Sequence, residues 1–210
     1  MEKLISKNLE EKISIIGNIL DEIGERIEGN LICDVKSDNF TYERNEDKIF
    51  NLQNLVNGKN KVCEIGVNAG HSLLIMLEKN PDAEYYLFDL GLHKYTDPCV
   101  DRIKSLFPNT KINIIYGDSK KTLEDFISFY PHHLGTFDLV HIDGGHGEME
   151  FISDFYYSRL LCKIEGITIF DDYNYSNIKD FLDIRIEGNI ISEYLGTEIK
   201  KNNRQLIYTR

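Results

Sequence analysis

The sequence predicts an α/β fold, a doubly wound sheet with an antiparallel edge, from two observations. Short apolar runs alternate with helical segments five times between residues 61 and 190. Two further strand-like segments joined by a polar turn follow, as in a hairpin. Strand–helix alternation is typical of parallel sheets covered by helices on both faces, and the hairpin adds the antiparallel edge.

The residues before this alternation predict helices. Residues 8–28 carry Ile and Leu at every third or fourth position, which predicts an amphipathic helix ended by Gly29 and Asn30. Residues 34–47 are polar and without a clear period, and a second helix is predicted from Lys48 to Asn57, with Gly58 as its stop. We therefore expect a helical extension over residues 1–47 and the α/β domain over residues 48–210.

Each strand of the alternation is a short apolar run bounded by polar residues or glycine. The predicted strands are Lys61–Ile65, Glu84–Asp89, Lys111–Tyr116, Phe137–Ile142 and Gly166–Phe170. The predicted helices are Ser72–Lys79, Asp97–Phe107, a segment from Ser119 through Tyr130, Glu148–Leu161 and Asn177–Ile190. Asn80-Pro81 and Pro108 end the first two of these. Thr197–Lys200 and Gln205–Thr209 are the predicted hairpin strands, with Lys201–Arg204 as the turn.

Composition excludes several classes of partner. The formal net charge is -11, so the surface repels phosphate backbones and anionic lipid, which argues against nucleic-acid and membrane binding. The chain has no apolar run long enough to span a membrane. Cys33, Cys63, Cys99 and Cys162 form no C-x-x-C pair, so zinc and redox motifs are absent. We expect a cytoplasmic protein.

The first predicted strand ends in Glu64-x-Gly66-x-x-x-Gly70, where glycines allow a tight turn and close approach of a ligand. The spacing is not that of the dinucleotide fingerprint G-x-G-x-x-G. A carboxylate here suits a ligand with an ammonium or sulfonium group better than a pyrophosphate. Asp89 ends the second strand, where an acid can accept both ribose hydroxyls, and Asp118-Ser119 follows the third, well placed for an adenine edge.

These motifs, followed by the strand Phe137–Asp143, resemble class I S-adenosylmethionine-dependent methyltransferases across residues 48–210. The resemblance implies a Rossmann-like, doubly wound seven-stranded sheet with an antiparallel last strand. It also implies that S-adenosylmethionine binds at the strand ends, at Glu64, Gly66, Gly70, His71, Ser72, Asp89, Asp118, Ser119 and Asp143.

Acidic residues also close the fourth and fifth strands. Asp143 follows one and Asp171-Asp172 follows the other, so the three carboxylates could meet at a hard cation such as Mg²⁺. A hydroxyl nucleophile is barely ionised at neutral pH and needs a base, a metal or both. His146 lies three residues after Asp143 and could accept the proton of a substrate hydroxyl.

The segments His141–His146 and Phe170–Tyr173 are similar to the metal-dependent sugar O-methyltransferases of macrolide and aminocoumarin pathways and to the cephalosporin-biosynthesis methyltransferases. That resemblance implies Asp143, Asp171 and Asp172 as Mg²⁺ ligands and His146 as the base. The metal would grip two vicinal oxygens of a small, sugar-like acceptor. Catechol-type enzymes usually carry Asp-Asn at the end of the fifth strand. This chain has Asp171-Asp172 there, which favours the sugar-type group. Residues 1–47 match no motif, and could cover the site, build a homo-oligomer contact or pack on the sheet.

Plainer interpretations stay open for each residue. Glu64 could form a strand-end salt bridge, the glycines a structural turn, and Asp89 a helix cap. Asp143 could contact only cofactor, Asp171-Asp172 could cap the next helix, and His146 could be a surface residue. His141, inside an apolar strand, is expected to be a packed core histidine. At the level of function, the alternatives are a metal-independent methyltransferase and a non-catalytic module. A nicotinamide oxidoreductase is disfavoured by the missing fingerprint.

Overall fold

Seven strands form one sheet in the computed structural model, which describes residues 4–28 and 45–210. The strands are β1 Lys61–Ile65, β2 Glu84–Asp89, β3 Ile112–Tyr116, β4 Phe137–Ile142, β5 Cys162–Asp171, β6 Ser192–Glu193 and β7 Gln205–Thr209. Their order is β3-β2-β1-β4-β5-β7-β6. The pairs from β3 to β5 are parallel, whereas β7 runs antiparallel to β5 and to β6. The predicted fold class is confirmed.

The helices cover both faces of this sheet. They are α1 Lys7–Ile23, α2 Glu46–Val56, α3 His71–Lys79, α4 Thr96–Leu106, α5 Ser119–Phe129, α6 Glu148–Leu161 and α7 Ser176–Glu187, with a 3-10 turn at Pro131–His133. Successive strand residues point to opposite faces, so Val62 joins a core with α1 to α4, and Cys63 joins one with α5 to α7. None of the helices in the described ranges has the length and apolar character of a membrane span.

Strand order reverses between β1 and β4, which creates a crevice at the carboxyl ends of the parallel strands. Predicted and observed boundaries coincide at β1, β2, β4, α6 and β7. Most of these segments are bounded by charged residues or glycine, which mark their ends in the sequence.

Most of the other predicted elements differ from the structure by one to three residues at an end, and two differ by more. The helix predicted over residues 8–28 ends at Ile23, because Gly24 adopts a left-handed φ of 66° and donates its N–H to Leu20 O. The predicted stop at Gly29 and Asn30 lies outside the described residues, as does Cys33. Strand β5 begins earlier than Gly166, since Cys162 already pairs with Phe137 before a register shift.

The predicted strand Thr197–Lys200 is wrong. The short strand beside β7 is β6, where Ser192 lies opposite Thr209. Lys200 is instead tied to α2, because its N–H donates to Asn51 Oδ1 at 2.7 Å and its carbonyl accepts from Asn51 Nδ2 at 2.9 Å. A backbone held by a side chain in this way is not available for strand pairing.

Helix α2 and the residue that caps it carry a stripe of polar residues toward the last part of the sheet. The polar stripe of α2 consists of Asn45, Lys48, Asn51 and Asn54, spaced by three and hence on one side of the helix. Asn51 also donates to Gln205 Oε1 at 3.0 Å, and Asn54 donates to Glu198 O at 3.0 Å. The helix begins two residues before the predicted domain start, and the division at residue 48 stays a prediction.

Candidate active site

Strands β1 and β4 bring two loops to one edge of the sheet. Ile65 lies opposite Ile142, and Asp143 N–H donates to Ile65 O at 2.8 Å. Gly66 N–H donates to Phe88 O at 2.8 Å, which brings the end of β2 to the same edge. The acidic and glycine residues that follow these strands therefore lie around one crevice.

The glycine loop, residues 66–70, is shaped by close packing. Gly66 has φ 88°, and a Cβ on it would lie 2.1 Å from Asp143 O. Gly70 has φ 78°, and a Cβ there would lie 2.4 Å from Ile103 Cδ1. Both positions thus require glycine for the turn and for the approach of neighbouring residues. The contact of either glycine with a cofactor stays a prediction.

Asp89 holds the glycine loop from the end of β2. Its Oδ2 accepts the N–H groups of Val67 and Asn68, each at 2.9 Å, and its Oδ1 accepts from Gly91 at 2.8 Å. Three donors on one carboxylate fix the loop firmly, since charge-assisted hydrogen bonds are the stronger ones. Asp89 remains partly exposed, so its predicted role toward ribose hydroxyls stays open.

The start of α3 follows the glycine loop and carries His71 and Ser72. Both side chains are buried, and neither ring nitrogen of His71 has a hydrogen-bond partner among the described residues. Burial lowers the pKa of His71 to about 4, because an imidazolium without a partner is poorly solvated there. The ring is therefore neutral at neutral pH.

Asp118 and Ser119 stand at the start of α5. Asp118 caps the helix by accepting from Lys120 N at 3.0 Å, and its carboxylate lies 3.4 Å from the Lys120 ammonium. Asp154 of α6 is buried, and its Oδ1 has no hydrogen-bond partner among the described residues. Burial raises the pKa of Asp154 to about 6. Asp154 was not predicted from the sequence, because its burial depends on how α6 packs and leaves no sequence motif.

Glu64 and His141 form a buried pair between β1 and β4. Both are fully enclosed, with His141 Nδ1 at 2.9 Å from Glu64 Oε1. His141 Nε2 lies 3.8 Å from Asp171 Oδ2, beyond hydrogen-bond distance. His141 is buried as the sequence predicted, but it links two carboxylates rather than packing among apolar groups. The predicted contact of Glu64 with a cofactor stays a prediction.

Lys48 completes a strand-end charge cluster, which we define as Lys48, Glu64, His141, Asp143 and Asp171. The ammonium of Lys48 lies 2.5 Å from Asp171 Oδ2, and both side chains are nearly inaccessible to solvent. Potential ligand atoms of His141, Asp143 and Asp171 all lie within 4.8 Å of one another. In the sequence Lys48 stands at a predicted helix start, and no role for it was predicted.

Opposing effects set the protonation of this cluster. Burial and the charge of Asp171 raise the pKa of Asp143 to about 7. Burial also acts to raise the pKa of Asp171, but the ammonium of Lys48 and the ring of His141 together outweigh it and hold that pKa below its ordinary value. Although burial alone would lower the pKa of His141, Asp171 and Glu64 raise it to about 10. The cluster therefore holds two cations against its carboxylates.

His146 and Asp172 form a separate pair beside the cluster. His146 Nε2 lies 2.6 Å from Asp172 Oδ2, and this hydrogen bond raises the pKa of His146. The ring stands 4.5 Å from the ring of Tyr175 and is about half exposed. Asp172 has a left-handed φ of 60°, and its side chain meets His146. Of the predicted ligands, Asp143 and Asp171 thus converge with His141, while Asp172 pairs with the predicted base.

The donor set of the cluster fits a divalent cation. Asp171 Oδ1 and His141 Nε2 are enclosed and have no hydrogen-bond partner among the described residues. Two carboxylates suit a hard cation, and an imidazole nitrogen extends the choice to Mn²⁺ and its neighbours. Lys48 already sits on one of these carboxylates, so any cation would share or take over that position.

A family model described as a methyltransferase domain matches residues 63–173. The fold is similar to that of an O-methyltransferase from Bacillus cereus in complex with S-adenosylhomocysteine, with TM-score 0.64, 16% identity, and coverage of 97% of this chain and 90% of that one. It is also similar to a TDP-rhamnose 3′-O-methyltransferase of calicheamicin biosynthesis, with TM-score 0.63, 11% identity, and coverage of 97% and 95%.

A third similar structure is a methyltransferase from the mycinamycin biosynthetic pathway in complex with Mg and S-adenosylhomocysteine. The TM-score is 0.54 and the identity 16%, with 92% of this chain and 54% of that chain covered. At these identities the structural matches establish the fold, while the family model covers more than half of the residues of this chain.

Proposed function

The chain belongs to the methyltransferase domain family, and from that premise we propose that it is a Mg²⁺-assisted, S-adenosylmethionine-dependent O-methyltransferase of small, polyhydroxylated, sugar-like acceptors. One observation carries the proposal. The hydrogen bond from Asp143 N–H to Ile65 O joins the cluster to the end of β1, directly before the glycine loop, so a cofactor loop and a set of acids share one crevice. Methyl transfer to a hydroxyl needs a bound methyl donor and a group that activates the hydroxyl.

The cofactor would lie along the ends of β1, β2 and β3. In this proposal the glycine loop, with His71 and Ser72, borders the methionine part, Asp89 accepts the ribose hydroxyls, and Asp118 and Ser119 meet the adenine. S-adenosylmethionine supplies an electrophilic methyl group and leaves as a neutral thioether, so no acid is needed for the leaving group. A cationic sulfonium also suits a chain with a net charge of -11.

The metal would be held by Asp143 and Asp171, with Asp172 or His141 as a further ligand. When bound, Mg²⁺ would orient two neighbouring oxygens of the acceptor and lower the pKa of the hydroxyl that reacts. The enclosed Asp171 Oδ1, which has no hydrogen-bond partner in the described part of the chain, supports this placement.

His146 is the proposed general base. If its Nε2–H donates to Asp172 Oδ2, the lone pair of Nδ1 is left to accept the proton of the acceptor hydroxyl. The hydroxyl oxygen then forms its bond to the methyl carbon while the carbon–sulfur bond breaks and its electron pair goes to sulfur. Asp172 stabilises the imidazolium that results.

The test is turnover on a panel of small hydroxylated compounds, including nucleotide sugars and catechols, with formation of S-adenosylhomocysteine as the readout. We expect turnover with vicinal diols and its loss after EDTA treatment, restored by Mg²⁺. Stabilisation of the chain by S-adenosylhomocysteine in a thermal unfolding assay tests the cofactor separately. Binding without turnover on any acceptor would favour a non-catalytic module, and absence of binding would contradict the cofactor assignment.

One observation favours a second candidate, a metal-independent methyltransferase. Lys48 already supplies a positive charge at Asp171, the position where a metal would lie. In that case His146 or Asp143 would accept the proton without help, and activity would survive EDTA. Formation of a homo-oligomer and a cytoplasmic location stay predictions from the sequence.

A further inference from the structure

Lys48 belongs to helix α2, whereas the other members of the strand-end charge cluster lie on strands or directly after them. It lies in the first turn of α2, and its side chain is only 7% exposed. Its ammonium lies 2.5 Å from Asp171 Oδ2. A buried lysine is rare unless it is paired, so this side chain must have a partner at the strand ends for α2 to pack there.

The cluster offers more acceptors than Lys48 uses. Asp171 Oδ1 is enclosed without a hydrogen-bond partner in residues 4–28 and 45–210. Asp143 has an oxygen within 4.8 Å of an oxygen of Asp171 and of a ring nitrogen of His141. Buried polar atoms are normally satisfied, so this shortfall points to a ligand that accepts electron pairs from several of them at once. Lys48 has three N–H groups, but among the acids of the cluster its ammonium pairs with Asp171, whereas a divalent cation could bind oxygens of Asp143 and Asp171 together.

We propose that Lys48 is a tethered counter-ion that competes with a divalent cation for Asp171, so the cation binds only when the ammonium withdraws. The inference rests on the proposed function only in the identity of the ligand as a metal. Two cations in contact with one carboxylate repel each other strongly in an enclosed site. Lys48 would thereby set the metal affinity of the chain and link metal binding to the position of α2.

The experiment is a calorimetric titration of the cofactor-free chain with Mn²⁺. The wild type is compared with Lys48→Met, which removes the charge, and with Lys48→Arg, which keeps it. We expect Lys48→Met to bind Mn²⁺ about tenfold more tightly or better, and Lys48→Arg to bind as the wild type does. Asp171→Asn in the Lys48→Met background should abolish the gain.

Lys12→Met is the matched control. Lys12 also pairs with a carboxylate, Glu78 at 2.9 Å, but at the flank formed by α1 and α3, so its loss should leave Mn²⁺ affinity unchanged. Lys48→Gln serves as a second variant if Lys48→Met does not fold. If neither folds, hydrogen exchange of α2 in the wild type at saturating Mg²⁺ decides, with faster exchange expected.

Equal Mn²⁺ affinity in the wild type and in the variant that removes the charge, Lys48→Met or Lys48→Gln, would overturn the inference, as would no binding by any of them. So would unchanged exchange of α2 in the metal-bound wild type. Stabilisation by S-adenosylhomocysteine is measured on the same samples. If the wild type binds the cofactor but Lys48 has no effect on metal affinity, only the competition is refuted. If the wild type does not bind the cofactor, the methyltransferase proposal is refuted instead.

Discussion

The glycine loop and the strand-end charge cluster lie at the same sheet edge but are built in different ways. The loop is held by backbone groups, with Asp89 accepting three N–H donors and Gly66 pressed against Asp143 O. The cluster is held by side-chain charges from α2, β1, β4 and β5. Hydrogen bonds to the backbone hold the loop in one conformation. The protonation of the buried cluster depends instead on which cation balances its carboxylates.

The largest expected effect is on the cluster side, in Asp171→Ala. The substitution leaves the Lys48 ammonium nearly enclosed without its partner, which should lower the free energy of unfolding by about 3–5 kcal/mol. Urea unfolding measures it. Glu124→Ala, which removes an exposed pair with Lys121, is the control and should cost less than about 1 kcal/mol. Similar costs for both would contradict a tightly coupled cluster.

Lowering the pH should reduce the stability of the folded chain through His71, which directly follows the glycine loop. The folded chain holds His71 neutral down to about pH 4, whereas the unfolded chain takes up the proton near pH 6.5. Stability should therefore fall as pH falls from 6.5 to 4, by about 3 kcal/mol from this residue. Unfolding curves of wild type and His71→Leu across that range measure the difference. Parallel pH profiles would show that His71 is not held neutral.

Gly66→Ala tests the contact that joins the two regions. Gly58→Ala is the matched control, since Gly58 has a similar left-handed φ of 70° but nothing within 4 Å of an added Cβ. Overlap with Asp143 O should make Gly66→Ala costlier than its control by about 1–3 kcal/mol in urea unfolding. Equal costs would mean that backbone strain alone explains both.

Asp89→Asn should have a smaller effect, confined to the loop. The amide keeps one acceptor oxygen of two, and weaker hydrogen bonds to Val67 and Asn68 should cost about 1–2 kcal/mol. Affinity for S-adenosylhomocysteine should fall with it. Asp82→Asn, at an exposed position, is the control. An unchanged dissociation constant in Asp89→Asn would count against the ribose role.

The smallest effect on stability is expected for His146→Gln. The side chain is about half exposed, so loss of its pair with Asp172 should cost less than about 1 kcal/mol. If His146 is the base, turnover should nevertheless fall roughly 10²- to 10⁴-fold while cofactor affinity is kept. His132→Gln, in an exposed turn, should leave turnover unchanged. Full activity of His146→Gln would exclude the base role.

The loop could be predicted from the sequence because its determinants are local. Strand β1, the glycines and Asp89 are contiguous or follow a fixed strand–helix succession, so their meeting at one edge follows from the fold class.

The cluster could be predicted only in part. Asp143 and Asp171 follow from strand ends, but Lys48 belongs to a helix whose docking depends on contacts with the far end of the chain. Asp154 is one polar residue among many on α6, and only packing shows that it is buried. Contacts between segments that are distant along the chain produce no periodic pattern in a single sequence.

The polar stripe of α2 has a consequence for the newly synthesised protein. Asn51 meets Lys200 and Gln205, which lie 149 and 154 residues later. At about 5–20 residues per second, a ribosome needs roughly 8–30 s to deliver them. During that interval the polar stripe of α2 lacks these two partners. The glycine loop can thus form early in the nascent chain, whereas Lys48 gains its partner only once Asp171 has been made.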